Sequence, residues 1–230
     1  MIDMRKINFH EDEYYHVYNR GTDKRTIFLE EREYERFLYL LYACNDVNPL
    51  LNSQFYYRGF ASIVTQIDTR EKLVNILCFC LMPNHYHLLL QQRVKGGISR
   101  FMQKLGTGYT MYFNTKHKRN GVLFQGVFKG IHVEDERYLT HLTRYIHLNP
   151  LELKKPDWKK IGVKNWEATE EYLKRFPWSS YGDYTGDNRF KPILDKELML
   201  EIFKTPKEYG DFMKSWIPND LKQIESHILL

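Results

Sequence analysis

The chain has little cysteine, no long apolar run and no apolar segment near its first residue. Only three of the 230 residues are cysteines, too few for a disulfide framework, so we expect reduced thiols. No run of about 18 apolar residues occurs, so we expect no membrane span. The opening residues, MIDMRK, are charged without an apolar stretch behind them, which predicts no secretory signal and a cytoplasmic protein.

Acidic residues are missing from one long segment. Residues 72–133 contain nine Lys or Arg and no Asp or Glu, so with a net charge of +5 the remainder carries 5 − 9 = −4. A solvated surface normally mixes both signs. This cationic segment therefore favours a polyanionic partner.

What the chain does contain is enough apolar material for a packed core, with 43% hydrophobic and 15% aromatic residues. Composition and spacing predict strands at residues 13–21, 73–82 and 85–92, the last two forming an antiparallel hairpin. Period-3.6 patterns predict helices at 30–44, 98–117 and about 134–149. Residues 54–66 are read as a strand or an insertion. Short helices are predicted beyond Pro150.

Two histidines share one face of the third predicted strand. His85 and His87 are two residues apart, so their imidazoles lie side by side, and imidazole is a common metal ligand. A third ligand is needed for a labile divalent ion. One alternative is a zinc site that adds Cys78 and Cys80, although their apolar neighbours favour buried structural thiols.

A phenol and a carboxamide share one face of the helix that ends at Pro150. Tyr145 and Asn149 are four residues apart, hence one turn apart. Alone, the pair is typical of a core tyrosine and an ordinary helix stop. Beside two imidazoles and a cationic segment, it predicts a metal that polarises a phosphodiester and a tyrosine that attacks it. His147 is read as a packing or surface residue, and no partner can be named for His16.

Six segments in order resemble those of a known family. They are residues 15–21 (YHVYNRG), 82–88 (MPNHYHL), 121–126 (GVLFQG), 128–129 (FK), 144–150 (RYIHLNP) and 177–181 (PWSSY). They resemble the single-tyrosine HUH, or IS200-like, transposases, and specifically the REP-associated tyrosine transposases. The resemblance covers residues 14–181.

The resemblance implies an α+β fold, a ferredoxin-like antiparallel sheet flanked by helices on one side, with a mostly helical C-terminal extension. It divides the chain into a nuclease domain, 1–155, and an extension, 156–230, that either guides hairpin recognition or covers a sheet edge. Tyr145 matches the family's nucleophile, which forms a 5′-phosphotyrosine. His85, His87 and Asn149 match the ligands of Mg²⁺ or Mn²⁺.

The implied partner is single-stranded DNA with REP-like hairpins, on the nucleoid of a bacterium. Monomer and homodimer both stay open. The basic residues that are candidates for phosphate contacts are Arg20, Lys24, Arg25, Arg100, Lys104, Lys116, Lys118, Arg119 and Lys129. Two alternatives stay open: a domesticated regulatory protein that binds hairpins without turnover, and a rolling-circle-type nickase that uses Tyr138 as a second tyrosine.

Overall fold

The computed structural model describes residues 7–49, 60 and 68–215. The predicted strand or insertion at 54–66 lies outside the described residues except for Phe60, as does the end of the tail. No helix in the described part of the chain is long and apolar enough to cross a bilayer.

Four antiparallel strands form one sheet in the order β2–β3–β1–β4. They are β1 (Tyr14–Arg20), β2 (Val74–Met82), β3 (His85–Gln92) and β4 (Lys129–Val133). The three strands expected from alternation and apolar runs are confirmed. The fourth begins only at Lys129, because the glycine-rich segment before it is joined to the end of β1 by isolated contacts. These are the bridge of Phe124 to Gly21 and the hydrogen bond from the N–H of Gln125 to the carbonyl of Arg20, at 2.7 Å.

Three long helices follow the predicted spacing: α1 (Glu31–Ala43), α2 (Gly97–Lys116) and α3 (Glu136–Leu148). Asp135 caps α3 by accepting a hydrogen bond from the backbone N–H of Tyr138. The remaining helices are short: α4 (Leu151–Lys154), α5 (Trp158–Ile161), α6 (Trp166–Arg175), α7 (Tyr181–Tyr184), α8 (Glu197–Ile202) and α9 (Pro206–Lys214).

Helices cover both faces of the sheet, so the expectation that they lie on one side is wrong. Helices α1 and α2 pack on the face that carries Tyr15, Val17 and Leu88. Helix α3 and the segment after it pack on the opposite face, against Cys80 and Leu89. Successive side chains of a strand point to opposite faces, and here both sets are apolar. Each face of the sheet is therefore buried only when helices pack on it.

The C-terminal extension also covers the outer edge of β2. The backbone N–H of Leu81 donates to the carbonyl of Trp178 at 2.9 Å, and the N–H of Ser180 donates to the carbonyl of Phe79 at 3.1 Å. An uncovered edge strand is a template for unwanted pairing with another chain. Of the two roles expected for the extension, covering a sheet edge is therefore the one seen.

Candidate active site

The two histidines lie where β3 begins, on the face covered by α3. The ring centroids of His85 and His87 are 5.1 Å apart and the rings are nearly perpendicular, at 85°. The Oδ1 atom of Asn84 lies 2.7 Å from Nδ1 of His85, so this ring is oriented through one nitrogen. Both imidazoles are buried, and the strand alternation that predicted a shared face is confirmed.

A third histidine, His16, lies behind His87. Its Nε2 atom is 2.9 Å from Nδ1 of His87, and both rings are fully buried. Sequence reasoning missed this contact, because His16 and His87 are 71 residues apart. The register brings them together, since β1 pairs with β3 and places His16 opposite Leu89, on the same face as His87. Only knowledge of that register could have found it.

Helix α3 places the predicted nucleophile against the histidines. The ring of Tyr145 meets that of His87 edge to face, with centroids 5.4 Å apart. Asn149 follows one turn later, and its Nδ2 donates to the carbonyl of Tyr145 at 2.9 Å. That bond turns the amide so that Oδ1 is left for another partner. The structure thus brings His85, His87, Tyr145 and Asn149 into one place.

The buried Nε2 atom of His87 has no hydrogen-bond partner among the described residues. The Oδ1 atom of Asn149 makes no hydrogen bond of ordinary geometry there, although the Asn149 side chain lies close enough to His85 to oppose in part the lowering of the pKa of that imidazole by burial. A buried polar atom without a partner is costly, so such atoms in a native protein call for an explanation. Imidazole nitrogen and amide oxygen are both donors for divalent cations. With His85 they make a donor set that fits Mg²⁺ or Mn²⁺.

The zinc alternative is not formed. Among residues 7–49, 60 and 68–215, no three His, Cys, Asp or Glu side chains lie close enough together to hold a metal ion. Burial also raises the pKa of the Cys78 and Cys80 thiols, which disfavours the thiolate that zinc requires. The interpretation of these cysteines as buried structural thiols is the better one.

Burial keeps all three histidines uncharged at neutral pH. It lowers the pKa of His16 to about 3, and burial, with the charge of Arg20 next in size, lowers the pKa of His85 to about 4. Burial first, and then electrostatic coupling to His16, His85 and Lys159, holds the pKa of His87 well below its ordinary value. A neutral imidazole has the free lone pair that a metal ligand needs.

Four of the predicted DNA contacts lie near this cluster. Arg20 ends β1 directly opposite His85, and the Lys129 ammonium lies 5.9 Å from the Tyr18 ring centroid. Lys24 and Arg25 follow in a short 3₁₀ turn and its cap. The carbonyl of Lys24 accepts a hydrogen bond from Nδ2 of Asn84, which ties this turn to the start of β3.

The other five predicted contacts lie along α2 or directly after it, and four of them already bind protein groups. Arg119 is one of these, since it donates to Oδ1 of Asn114 at 3.1 Å. Arg100 donates to the carbonyl of Val47, and Lys104 donates to the carbonyls of Asp46 and Asn48. Lys116 forms ion pairs with glutamates of α1 and its cap. Lys118 and Arg119 follow the end of the helix, where Lys118 is exposed. All nine stay predictions, but the structure separates them into two groups.

His147 is a packing residue, one of the two roles expected for it. Its ring is fully buried, with Nδ1 2.6 Å from the Tyr209 hydroxyl and Nε2 2.8 Å from the Ser180 hydroxyl. Both partners belong to the C-terminal extension. The helix that carries Tyr145 is thus fixed from behind by residues more than thirty positions later in the chain.

Comparison with known proteins supports the resemblance. Residues 40–149 match the sequence profile of the family described as Transposase IS200 like. The fold is similar to the solved structure of a REP-associated tyrosine transposase bound to a REP hairpin, with a TM-score of 0.50 and 14% identity, over 80% of this chain and 84% of that one. No curated protein sequence matches the chain. The profile match agrees with the predicted resemblance to IS200-like transposases, and the structural similarity confirms the predicted α+β fold.

Proposed function

We propose that the protein is a metal-dependent single-stranded DNA transposase, because residues 40–149 match the family profile described as Transposase IS200 like. It cleaves and rejoins DNA near hairpins through a 5′-phosphotyrosine. The observation that carries the proposal is the buried Nε2 atom of His87, which has no hydrogen-bond partner among the described residues and whose ring packs against the Tyr145 ring.

Tyr145 is the nucleophile of this reaction. Its hydroxyl oxygen bonds to phosphorus while the bond from phosphorus to the 3′ oxygen breaks, and the phenol proton is transferred, net, to that 3′ oxygen. The products are a 5′-phosphotyrosine and a free 3′-OH. Rejoining is the reverse exchange, in which a 3′-OH attacks the phosphotyrosine and Tyr145 regains its proton.

His85, His87 and Asn149 would hold the divalent cation. When bound, the cation would withdraw charge from a phosphate oxygen and stabilise the charge that develops during attack. The protein's own contribution is to orient the metal-binding side chains before the cation binds. Asn84 orients His85, His16 contacts His87, and the carbonyl of Tyr145 orients Asn149.

Basic side chains guide the single strand to this site. Arg20 and Lys129 lie beside the histidines, and Lys24 and Arg25 extend this positive charge to the turn after β1. Phosphate contacts of this kind position DNA without reading its sequence. Recognition of a hairpin therefore requires further contacts, for which Lys118 and Arg119 at the far end of α2 are our candidates.

The proposal is tested by covalent capture. Labelled single-stranded hairpin DNA from the flanks of the protein's own gene is incubated with the protein and Mn²⁺ or EDTA, then separated on a denaturing gel. We expect a slow-migrating covalent band that requires Mn²⁺ and disappears in Tyr145→Phe. Tyr138→Phe is the matched control, since burial raises the pKa of Tyr138 to about 12 and this residue lies seven positions earlier on the same helix.

Two results would contradict the proposal. A covalent band that persists in Tyr145→Phe and disappears in Tyr138→Phe would assign the chemistry to the other tyrosine. Retarded DNA in native gels, without any covalent band in the presence of Mn²⁺, would identify a hairpin-binding regulatory protein.

A further inference from the structure

A lysine of the C-terminal extension lies beside the nucleophile. The Lys159 ammonium is 5.2 Å from the centroid of the Tyr145 ring. Lys159 belongs to α5, ten residues beyond the end of the family match at residue 149. The family region therefore supplies the tyrosine and the metal donors, while a separate part of the chain supplies a positive charge.

The position of this lysine is fixed by two neighbours. Trp158, the adjacent residue, is 1% exposed and anchors α5 in the core shared with α3. Glu152 in α4 forms an ion pair with the Lys159 ammonium at 2.5 Å. The ion pair therefore holds the ammonium at the site. The lysine side chain is 21% exposed, so a phosphate that arrives from solvent can contact it.

The Tyr145 ring lies between Lys159 and one of the proposed metal ligands. Its centroid is 5.2 Å from the Lys159 ammonium and 5.4 Å from the centroid of the His87 ring. A single ammonium thus lies beside the nucleophilic ring, on which His87 also packs. In a partly buried site a unit charge is screened less than in water, so its effect on a developing anion is substantial.

We propose that Lys159 stabilises the negative charge that develops on the Tyr145 oxygen and on the attacked phosphate. This inference rests on the proposed function and adds a residue outside the matched family region to the active site. Before DNA arrives, Glu152 neutralises the ammonium. When a phosphodiester occupies the site, the phosphate oxygens become a second anionic partner at the same place.

The test compares Lys159→Met, which keeps the aliphatic stem, with Lys159→Arg, which keeps the charge. In single-turnover assays with hairpin DNA and Mn²⁺, we expect Lys159→Met to slow covalent attachment by about 10- to 100-fold. The DNA dissociation constant should change far less, since one phosphate contact among several is removed. Lys159→Arg should restore most of the rate. Lys160→Met, an exposed neighbour on α5, should match wild type.

A second measurement does not depend on turnover. Loss of a positive charge near the imidazoles should tighten Mn²⁺ binding, measured by calorimetry, by roughly threefold in Lys159→Met and leave it unchanged in Lys160→Met. Thermal melting of each variant checks that it is folded.

The outcomes separate the two proposals. An active wild-type protein together with a Lys159→Met variant of unchanged rate and Mn²⁺ affinity would overturn the role of Lys159 alone. A rate that falls only in proportion to DNA affinity would make Lys159 an ordinary phosphate contact. A folded wild-type protein that binds Mn²⁺ but never attaches DNA would overturn the proposed function and, with it, this role.

Discussion

His16 contacts one ring nitrogen of His87 and leaves the other for the site. Burial keeps the His16 ring uncharged, so its Nε2 can accept the hydrogen bond from Nδ1–H of His87. In that arrangement Nε2 of His87 carries a lone pair, and it is the atom left without a partner among the described residues. Partners of this kind fix the tautomer and the ring orientation of metal-binding histidines.

Replacement of His16 should therefore weaken metal binding without removing a ligand. We expect His16→Phe, which keeps a ring but has no acceptor, to bind Mn²⁺ about 10- to 100-fold more weakly in calorimetry. His16→Gln, which retains a hydrogen-bond acceptor, should lose less Mn²⁺ affinity than His16→Phe. His132→Gln is the control, because His132 is a more exposed histidine that contacts Glu13. Wild-type affinity in His16→Phe would mean that packing alone orients His87.

The sequence predicted part of this cluster. Strand alternation placed His85 and His87 on one face, and helical spacing placed Tyr145 one turn before Asn149. Neither the two-residue period of a strand nor the 3.6-residue period of a helix carries information about contacts between distant segments. The bond from His16 depends on the register of β1 against β3, and the approach of Lys159 depends on the fold of the extension, so no local pattern indicated either residue.

At the scale of elements, one buried glutamate joins the two helices on the other face of the sheet. Glu33, in the first turn of α1, is fully buried and accepts hydrogen bonds from Lys116 at 3.1 Å and from His117 at 2.5 Å, where α2 ends. Burial alone would raise the pKa of Glu33. Hydrogen bonds from His117, the backbone N–H of Leu29 and Lys116 lower it overall.

Removal of this charge should destabilise the fold measurably. Glu33→Gln keeps the shape but weakens hydrogen bonds to two basic groups, so we expect the free energy of unfolding in urea at pH 7 to fall by about 2 kcal/mol. Glu31→Gln, in the same turn but exposed, should change it by less than about 0.5 kcal/mol. Equal stabilities for the two variants would show that the hydrogen bonds of Glu33 to Lys116 and His117 contribute nothing to the free energy of unfolding.

Sequence periodicity was reliable for α1, α2 and α3 because each has a continuous apolar face. Gly106 and Gly108 do not interrupt α2. Packing requires glycine at neither position, because a Cβ atom at Gly108 would lie 3.5 Å from the Leu40 side chain, an ordinary van der Waals distance, and one at Gly106 would meet nothing within 4 Å. Burial of the apolar face of α2 therefore outweighs the low helix propensity of the two glycines.

At the scale of the whole molecule, the extension shares one hydrophobic core with the family region. Trp158, Leu173 and Tyr181 are at most 1% exposed and belong to the same cluster as Leu142 and Ile146 of α3. The hydrogen bonds of His147 and the covered edge of β2 cross the same boundary. The division of the chain at residue 155 stays a prediction. The apolar face of α3, which lies before that residue, is nevertheless buried by side chains that come after it.

A chain that ends at residue 155 should therefore fail to fold cooperatively. It would expose the face of α3 that carries Leu142 and Ile146, leave His147 without its two partners, and uncover β2. We expect aggregation in size-exclusion chromatography, strong binding of a hydrophobic dye and no cooperative urea transition. A chain that ends at Ser215 retains these contacts and should unfold cooperatively. A monomeric, cooperative 1–155 fragment would establish instead that the extension is a separable domain, and the position of Lys159 beside Tyr145 would then depend on docking rather than on a common core.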